Sequence, residues 1–243
     1  MTTDEYDNLF PALFPNFNDS MPLLECSLCY ERGYNFKGQK IIWGNGSQNA
    51  KLMAIGMDSG GYFPSKLLWR GSILTGFPLT NENSGKRFRR LLNAAGIDSS
   101  YVFITNLVKC NDSPVKEEIK QIRNKYEKRR KKIELFKKLS AVCISYLKNE
   151  LCNIRPEVII MLGEDVKYML DDLIDWKKNI LIVQDLNFSL SNPFEGELDF
   201  APGYKAKVFN LWHPSRLGYT NAENQKELEK KYKEDLIIIQ NFL

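Results

Sequence analysis

Apolar and polar positions along this chain fall into two alternating rhythms. Four short, β-rich apolar runs, Leu52–Ile55, Tyr101–Thr105, Val158–Leu162 and Lys207–Leu211, read as strands. Between them the apolar positions recur at helical spacing. In Ser84–Ala95 the residues Phe88, Leu91, Leu92 and Ala95 make one stripe, and Gly96 closes it as a C-cap. Ile119–Lys148 reads as one long helix, or as two with a break at Ser140. Glu164–Ile174 is a further helix, and Asn221–Leu243 a closing amphipathic one. Strands alternating with helices predict one α/β domain over residues 1–243: a three-layer α/β/α arrangement with a short, mainly parallel four-stranded central sheet.

In open α/β sheets, ligands sit beyond the carboxyl ends of the strands. Four polar clusters follow the four strand ends here. They are Gly56-Met57-Asp58-Ser59-Gly60-Gly61-Tyr62, then Asn106 with Lys109 and Cys110, then Gly163-Glu164-Asp165, and last Trp212-His213-Pro214-Ser215-Arg216-Leu217. Strand geometry alone predicts that they gather on one rim.

Composition narrows the class. With 43% hydrophobic and 26% charged residues, the chain is ordinary globular protein, which excludes disorder as its main state. Runs such as Val158–Leu162 and Leu236–Ile239 fall far short of the ~20 apolar residues a bilayer span needs. The opening MTTDEYDNLF is acidic and has no basic stretch leading into an apolar one, so a cytoplasmic protein without membrane association is expected.

The net charge of +4 conceals an asymmetry. Residues 116–138 hold 11 Lys/Arg and 4 Glu, a net of +7, which leaves −3 for the rest of the chain. Five successive basic residues, Lys128, Arg129, Arg130, Lys131 and Lys132, favour a polyanionic partner over a merely solvated helix face, and nucleic acid is the expected one.

Five cysteines in a reducing compartment suggest metal, cluster or packing roles rather than disulfides. Cys26 and Cys29 form a C-x-x-C pair in an N-terminal arm (residues 1–40), Cys110 follows the second strand, and Cys143 lies in a helix. Four thiolates hold Zn²⁺ or a [4Fe–4S] cluster equally well, and Cys110 and Cys143 also read as small buried hydrophobes. Cys152 reads as core. The one histidine, His213, excludes a histidine-rich metal site. It ends a strand and Pro214 fixes the turn after it. Asp58, flanked by glycine, is its counterpart at another strand end, and a carboxylate with an imidazole across one pocket suits hydrolysis with an anionic leaving group. Gly85-Lys86 is not a phosphate-cradling loop, because Arg87 stands where a Ser or Thr is needed.

The order of these motifs resembles the uracil-DNA glycosylase superfamily, and most closely its iron–sulfur branch, family 4. The segments that carry the resemblance are CSLC (26–29), IIWGNGSQNAKLMAIGMDSGG (41–61), TGFPL (75–79), SGKRFRRLLNAAGI (84–97), VFITNLVKC (102–110), AVCISYL (141–147), IRPEVIIMLG (154–163) and HPSRL (213–217). Together they span roughly residues 23–220. The resemblance implies that Cys26, Cys29, Cys110 and Cys143 hold a structural [4Fe–4S] cluster. It implies that Asp58 activates water, that Asn106 reads the edge of a flipped base, and that His213 stabilises charge on the leaving base. Ser215 and Arg216 would contact DNA beside Leu217, which would wedge into the duplex.

The departures from the pattern concern the pocket. Met57 stands where family 4 has a glutamate. Leu79 stands where it has an aromatic that stacks on the base, with Phe77 two residues earlier as a substitute. Gly60 stands where the family 1 branch has a tyrosine that excludes thymine. Residues 111–139 lengthen the gap between the third and fourth cysteines as a basic helical insertion. Gly56, Met57, Gly60, Phe77, Leu79 and Asn106 would then form a base pocket open to 5-substituted pyrimidines. The expectation is a monofunctional DNA glycosylase, acting as a monomer with no protein partner, that leaves an abasic site. Ordinary uracil excision and non-catalytic DNA binding are the alternatives.

Overall fold

A computed structural model describes residues 25–26, 28–34, 39–40, 44–47, 49–58, 82–110, 113–171, 194–197, 203–218 and 222–243. The elements in chain order are β1 (Glu25–Cys26), α1 (Leu28–Glu31), β2 (Gln39–Lys40), β3 (Asn45–Gly46), β4 (Leu52–Gly56), α2 (Glu82–Ala94), β5 (Val102–Asn106), α3 (Ser113–Glu118), α4 (Lys125–Ile154), β6 (Val158–Leu162), α5 (Glu164–Asp171), β7 (Phe194–Glu197), β8 (Lys205–Leu211) and α6 (Ala222–Gln240). Short 3₁₀ turns cover Ser99–Tyr101 and Pro214–Gly218.

Four parallel strands lie in the order β5-β4-β6-β8 at the centre of the sheet. β4, β5 and β6 are buried on both faces along their whole length and β8 from Val208 to Leu211, which is why they read as largely apolar runs. Antiparallel edges extend the four-stranded expectation to six strands: β3 beside β5 and β7 beside β8. β1 and β2 form a separate antiparallel pair.

Alternate strand residues supply two cores. Met53, Ile55, Phe103, Ile159 and Met161 pack against α4 and α5. Leu52, Ala54, Ile104, Ile160 and Phe209 pack against α2 and α6. The result is the three-layer α/β/α sandwich that the sequence pattern predicts.

The long helical segment breaks at 119–124 and not at Ser140. Asn124 Oδ1 accepts from the N–H groups of Tyr126 (2.9 Å) and Glu127 (3.1 Å), so α4 has its own N-cap. Ser140 is buried in the middle of α4, where its hydroxyl donates to Met169 Sδ at 3.5 Å. A second correction is Cys152, which is exposed on α4 and not in the core. Among the described residues, no helix is long and apolar enough to cross a membrane.

Asp235 on α6 carries a pH signature. Its partial burial, with the charge of Glu234 added, pushes its carboxyl up to about 7 from 3.8. Below pH ~4 the group is protonated in both the folded and unfolded states and contributes nothing. As pH rises from there to about 7, the unfolded chain releases the proton and the folded one keeps it. Stability therefore falls across that window and the penalty is complete above it. Asp235→Asn is expected to raise the unfolding free energy at pH 8 by an amount on the order of 1 kcal/mol after solvent screening, seen as a higher urea midpoint, and to leave the midpoint unchanged at pH 4.

Candidate active site

The sheet has its switch point between β4 and β6. The helix after β4, α2, lies on one face, and the helix after β6, α5, lies on the other. Chain leaving two neighbouring strands in opposite directions opens a crevice at their carboxyl ends. A cleft of about 440 Å³ occupies this place, within the ~300–1,000 Å³ of small-molecule sites. Its lining brings together residues from three strand ends: Met57 and Asp58 after β4, Gly163, Glu164 and Asp165 after β6, and Trp212, His213 and Ser215 after β8.

His213 is held in one tautomer. The Ser215 N–H donates to its Nδ1 at 3.2 Å, and Ser215 Oγ lies 2.7 Å from the same nitrogen. A backbone N–H can only donate, so Nδ1 is an acceptor and carries no proton. The ring is neutral with its proton on Nε2, where it can donate to a ligand atom. Beneath it, Gly163 sits at φ +105°, and an added Cβ there would lie 3.5 Å from His213 Cβ. The turn that carries the histidine is anchored from α2, because Arg87 Nη1 donates to Pro214 O at 3.2 Å. Arg87 Nε also donates to Glu229 Oε1 on α6 at 3.0 Å. Burial alone would raise the Glu229 carboxyl, but its bonds from Arg90 and Gln225 and the charges of Arg90 and Arg87 prevail and hold it below the usual carboxylate range.

Ser215→Ala removes the Oγ contact while the backbone N–H still reaches Nδ1, so turnover is expected to fall only about threefold, with little change in DNA affinity. Single-turnover kinetics beside a binding isotherm checks it.

Asn106 ends β5 opposite Gly56 in the β4–β5 register. It is only 2% exposed, and its Oδ1 has no hydrogen-bond partner among the described residues. Leu107 and Val108 continue the ladder, donating to Gly56 O (2.9 Å) and Met57 O (2.8 Å). Asn106 is thus tied to the turn that carries Asp58, although neither Asn106 nor Gly56 lines the cleft.

The basic run sorts itself by helix phase. Arg129 and Lys132 line the cleft together with Ile133 and Phe136. Lys131 pairs instead with Glu134 at 3.3 Å. Lys128 and Arg130 are exposed and lie outside the lining. The run is the start of α4, the same helix that carries Cys143.

Leu217 lies in the core. The expected wedge is 1% exposed and packs in the core under α2 and α6, with Phe88 and Leu228 in the same cluster. Inserting it into a duplex would take it out of that core, at a cost of about 1.5–3 kcal/mol. Arg216 lies in the 3₁₀ turn, with its side chain outside the described residues. Gly60, Phe77 and Leu79 also lie outside them.

Cys29, Cys110 and Cys143 are all buried in one apolar cluster. Cys26 ends β1, with its side chain outside the described residues. Buried soft thiols of this kind fit an iron–sulfur group in donor chemistry. Among the described residues, however, no group of three or more His, Cys, Asp or Glu converges on a metal position.

Sequence reasoning missed the polar group behind the site. Lys109 Nζ donates to Glu150 Oε2 (2.5 Å) and Thr105 Oγ1 (2.5 Å), Thr105 Oγ1 donates to Glu150 Oε2 (2.7 Å), and Gly44 N–H donates to Glu150 Oε1 (3.0 Å). Burial pushes the Lys109 ammonium below its ordinary value, against the opposing pull of Glu150 and Cys143.

An open α/β/α sheet whose switch-point cleft is lined by both an acid and an imidazole defines a class of small-molecule site. Comparison with known proteins makes it more definite. The family model of the uracil DNA glycosylase superfamily matches residues 43–237, and the chain belongs to that superfamily. It is similar to a type-4 uracil-DNA glycosylase of Saccharolobus solfataricus, 29% identical over 217 residues that cover 84% of this chain and 82% of that protein. It is also similar to a type-4 uracil-DNA glycosylase of Archaeoglobus fulgidus, 25% identical over 198 residues that cover 79% of this chain and 76% of that protein.

Proposed function

We propose that this protein is a monofunctional DNA glycosylase that rotates a pyrimidine nucleotide out of DNA and hydrolyses its N-glycosidic bond, leaving an abasic site. The observation that carries this reading is the cleft that Asp58 and His213 share, with the Ser215 N–H donating to His213 Nδ1. Superfamily membership and the names of the relatives support it. In this reading C1′–N1 cleavage passes through an oxocarbenium-like sugar, which the Asp58 carboxylate stabilises while orienting water for attack. The Nε2–H of His213 donates to the negative charge that develops on the leaving base. Asn106 does not line the described cleft, but its Oδ1 lacks a partner among the described residues, which supports a role for its carboxamide in bonding the edge of a base that enters the site.

The pocket is read as open to 5-substituted pyrimidines. Met57 in place of a charged side chain and Gly60 in place of a ring support this. Uracil is the second reading, favoured by the names of both relatives. Oligonucleotides carrying uracil or a 5-substituted pyrimidine, incubated with the protein and then treated with alkali, separate the two. Strand cleavage at the 5-substituted base supports the first reading; efficient cleavage at uracil alone overturns it. No cleavage with either would overturn the enzyme reading.

The cysteines Cys26, Cys29, Cys110 and Cys143 are proposed as the ligands of a structural [4Fe–4S] cluster. Purified protein is expected to be brown with about four irons per chain. Cys143→Ala should lose the iron and the exposed Cys152→Ser should retain it. Colourless protein with bound zinc would overturn the assignment.

A further inference from the structure

We infer that the DNA strand entering the cleft is single-stranded, and that the first turns of α4 are the platform that holds it. This rests on the glycosylase reading for its substrate, but it concerns binding and is decided by binding. Tyr126, in the first turn of α4, is 85% exposed, an unusual position for a large aromatic ring. Asn124 caps that turn, so the ring is carried on ordered backbone. Tyr126 precedes Arg129 by three residues and Ile133 by seven, which places it on the same side of the helix as the residues that line the cleft. The face therefore runs from an exposed aromatic, through the two cations Arg129 and Lys132, down to Asp58 and His213. Lys132 Nζ lies 5.3 Å from the centre of the Phe136 ring, an attraction that keeps its charge on this face.

A stacking ring followed by a cationic groove is the pattern by which proteins track single strands: each base offers a π-face and each nucleotide a phosphate. Duplex entry needs something else, a side chain to fill the gap a flipped nucleotide leaves. Leu217, the residue expected to do so, is locked in the core. A single strand needs no such filler, because its bases are already unpaired.

The test is fluorescence anisotropy with unmodified oligonucleotides, single-stranded and as the matching duplex, at fixed salt. Wild-type protein is expected to bind the single strand about tenfold more tightly than the duplex, and Tyr126→Ala to weaken single-strand binding about tenfold while Tyr126→Phe retains it. Lys131→Ala, on the opposite face, should change single-strand affinity far less than Lys132→Ala. Duplex binding as tight as or tighter than single-strand binding, or wild-type single-strand affinity in Tyr126→Ala, would overturn the inference. Because Tyr126 lies outside the core, its replacement leaves folding intact, and circular dichroism checks this. Base release is assayed in parallel on both DNA forms. Absence of release from either would sink the glycosylase reading alone, since the anisotropy result stands apart from catalysis.

Discussion

Asp58→Ala and His213→Ala are each expected to cut base release by at least ~10² while DNA affinity stays within a few-fold. The asymmetry follows from where each group acts. In the proposed complex the strand is held by phosphate contacts from α4, which neither change touches. In the proposed mechanism the carboxylate and the Nε2–H meet charge that exists only as the glycosidic bond breaks, so their contribution would fall on the transition state. A preorganised donor of this kind contributes about 3–4 kcal/mol. His213→Gln is the informative conservative variant. Its side-chain amide offers a donor but lacks the ring that Ser215 fixes, so partial recovery is expected. Single-turnover release from a labelled oligonucleotide, set beside a binding isotherm, checks all three variants. Equal loss of binding and turnover would assign Asp58 and His213 to folding rather than to chemistry.

How much of this was legible in the sequence depended on whether local pattern or long-range packing decided the matter. The four central strands were legible because burial on both faces makes them largely apolar runs, unbroken in Val158–Leu162. The edges β3 and β7 were not, being two and four residues long with glycine in each. The gathering of Asp58, Glu164 and His213 on one rim followed from topology alone, since each directly follows a parallel strand. The burial of Leu217 was not legible, because a motif fixes where a residue lies in the chain but not which way its side chain packs. In the same way, Lys128 to Lys132 read as one patch, and only the phase of α4 separates Arg129 and Lys132 from Lys131. Ser140 looked like a helix break because it is polar, whereas the break lies where Asn124 caps a new helix.

The Lys109–Glu150 pair was illegible: 41 residues separate the partners, Glu150 belongs to no recognisable motif, and Lys109 read as part of the polar rim after the second strand and not as a buried partner. It is also where the largest stability effect is expected. Lys109→Met should destabilise the fold by about 3–5 kcal/mol, because it strands a buried carboxylate. The pair ties three segments together: Glu150 on α4, Thr105 on β5, and the backbone of Gly44 ahead of β3. Removing both charges at once is a different matter. In Lys109→Met with Glu150→Gln, the glutamine carbonyl still accepts from Gly44 N–H and no charge is left buried. The double variant should therefore recover much of the loss, a coupling of about 1–3 kcal/mol in a double-mutant cycle. Lys109→Met with Glu150→Leu should recover less, because the Gly44 N–H and Thr105 hydroxyl then lose their acceptor. Asn106 follows Thr105 directly, so the Gln and Leu double variants should also differ in base release, with the Leu form slower. Urea denaturation of the four variants and the wild type measures the cycle. If Lys109→Met unfolds at the wild-type urea midpoint, the buried pair does not stabilise the fold.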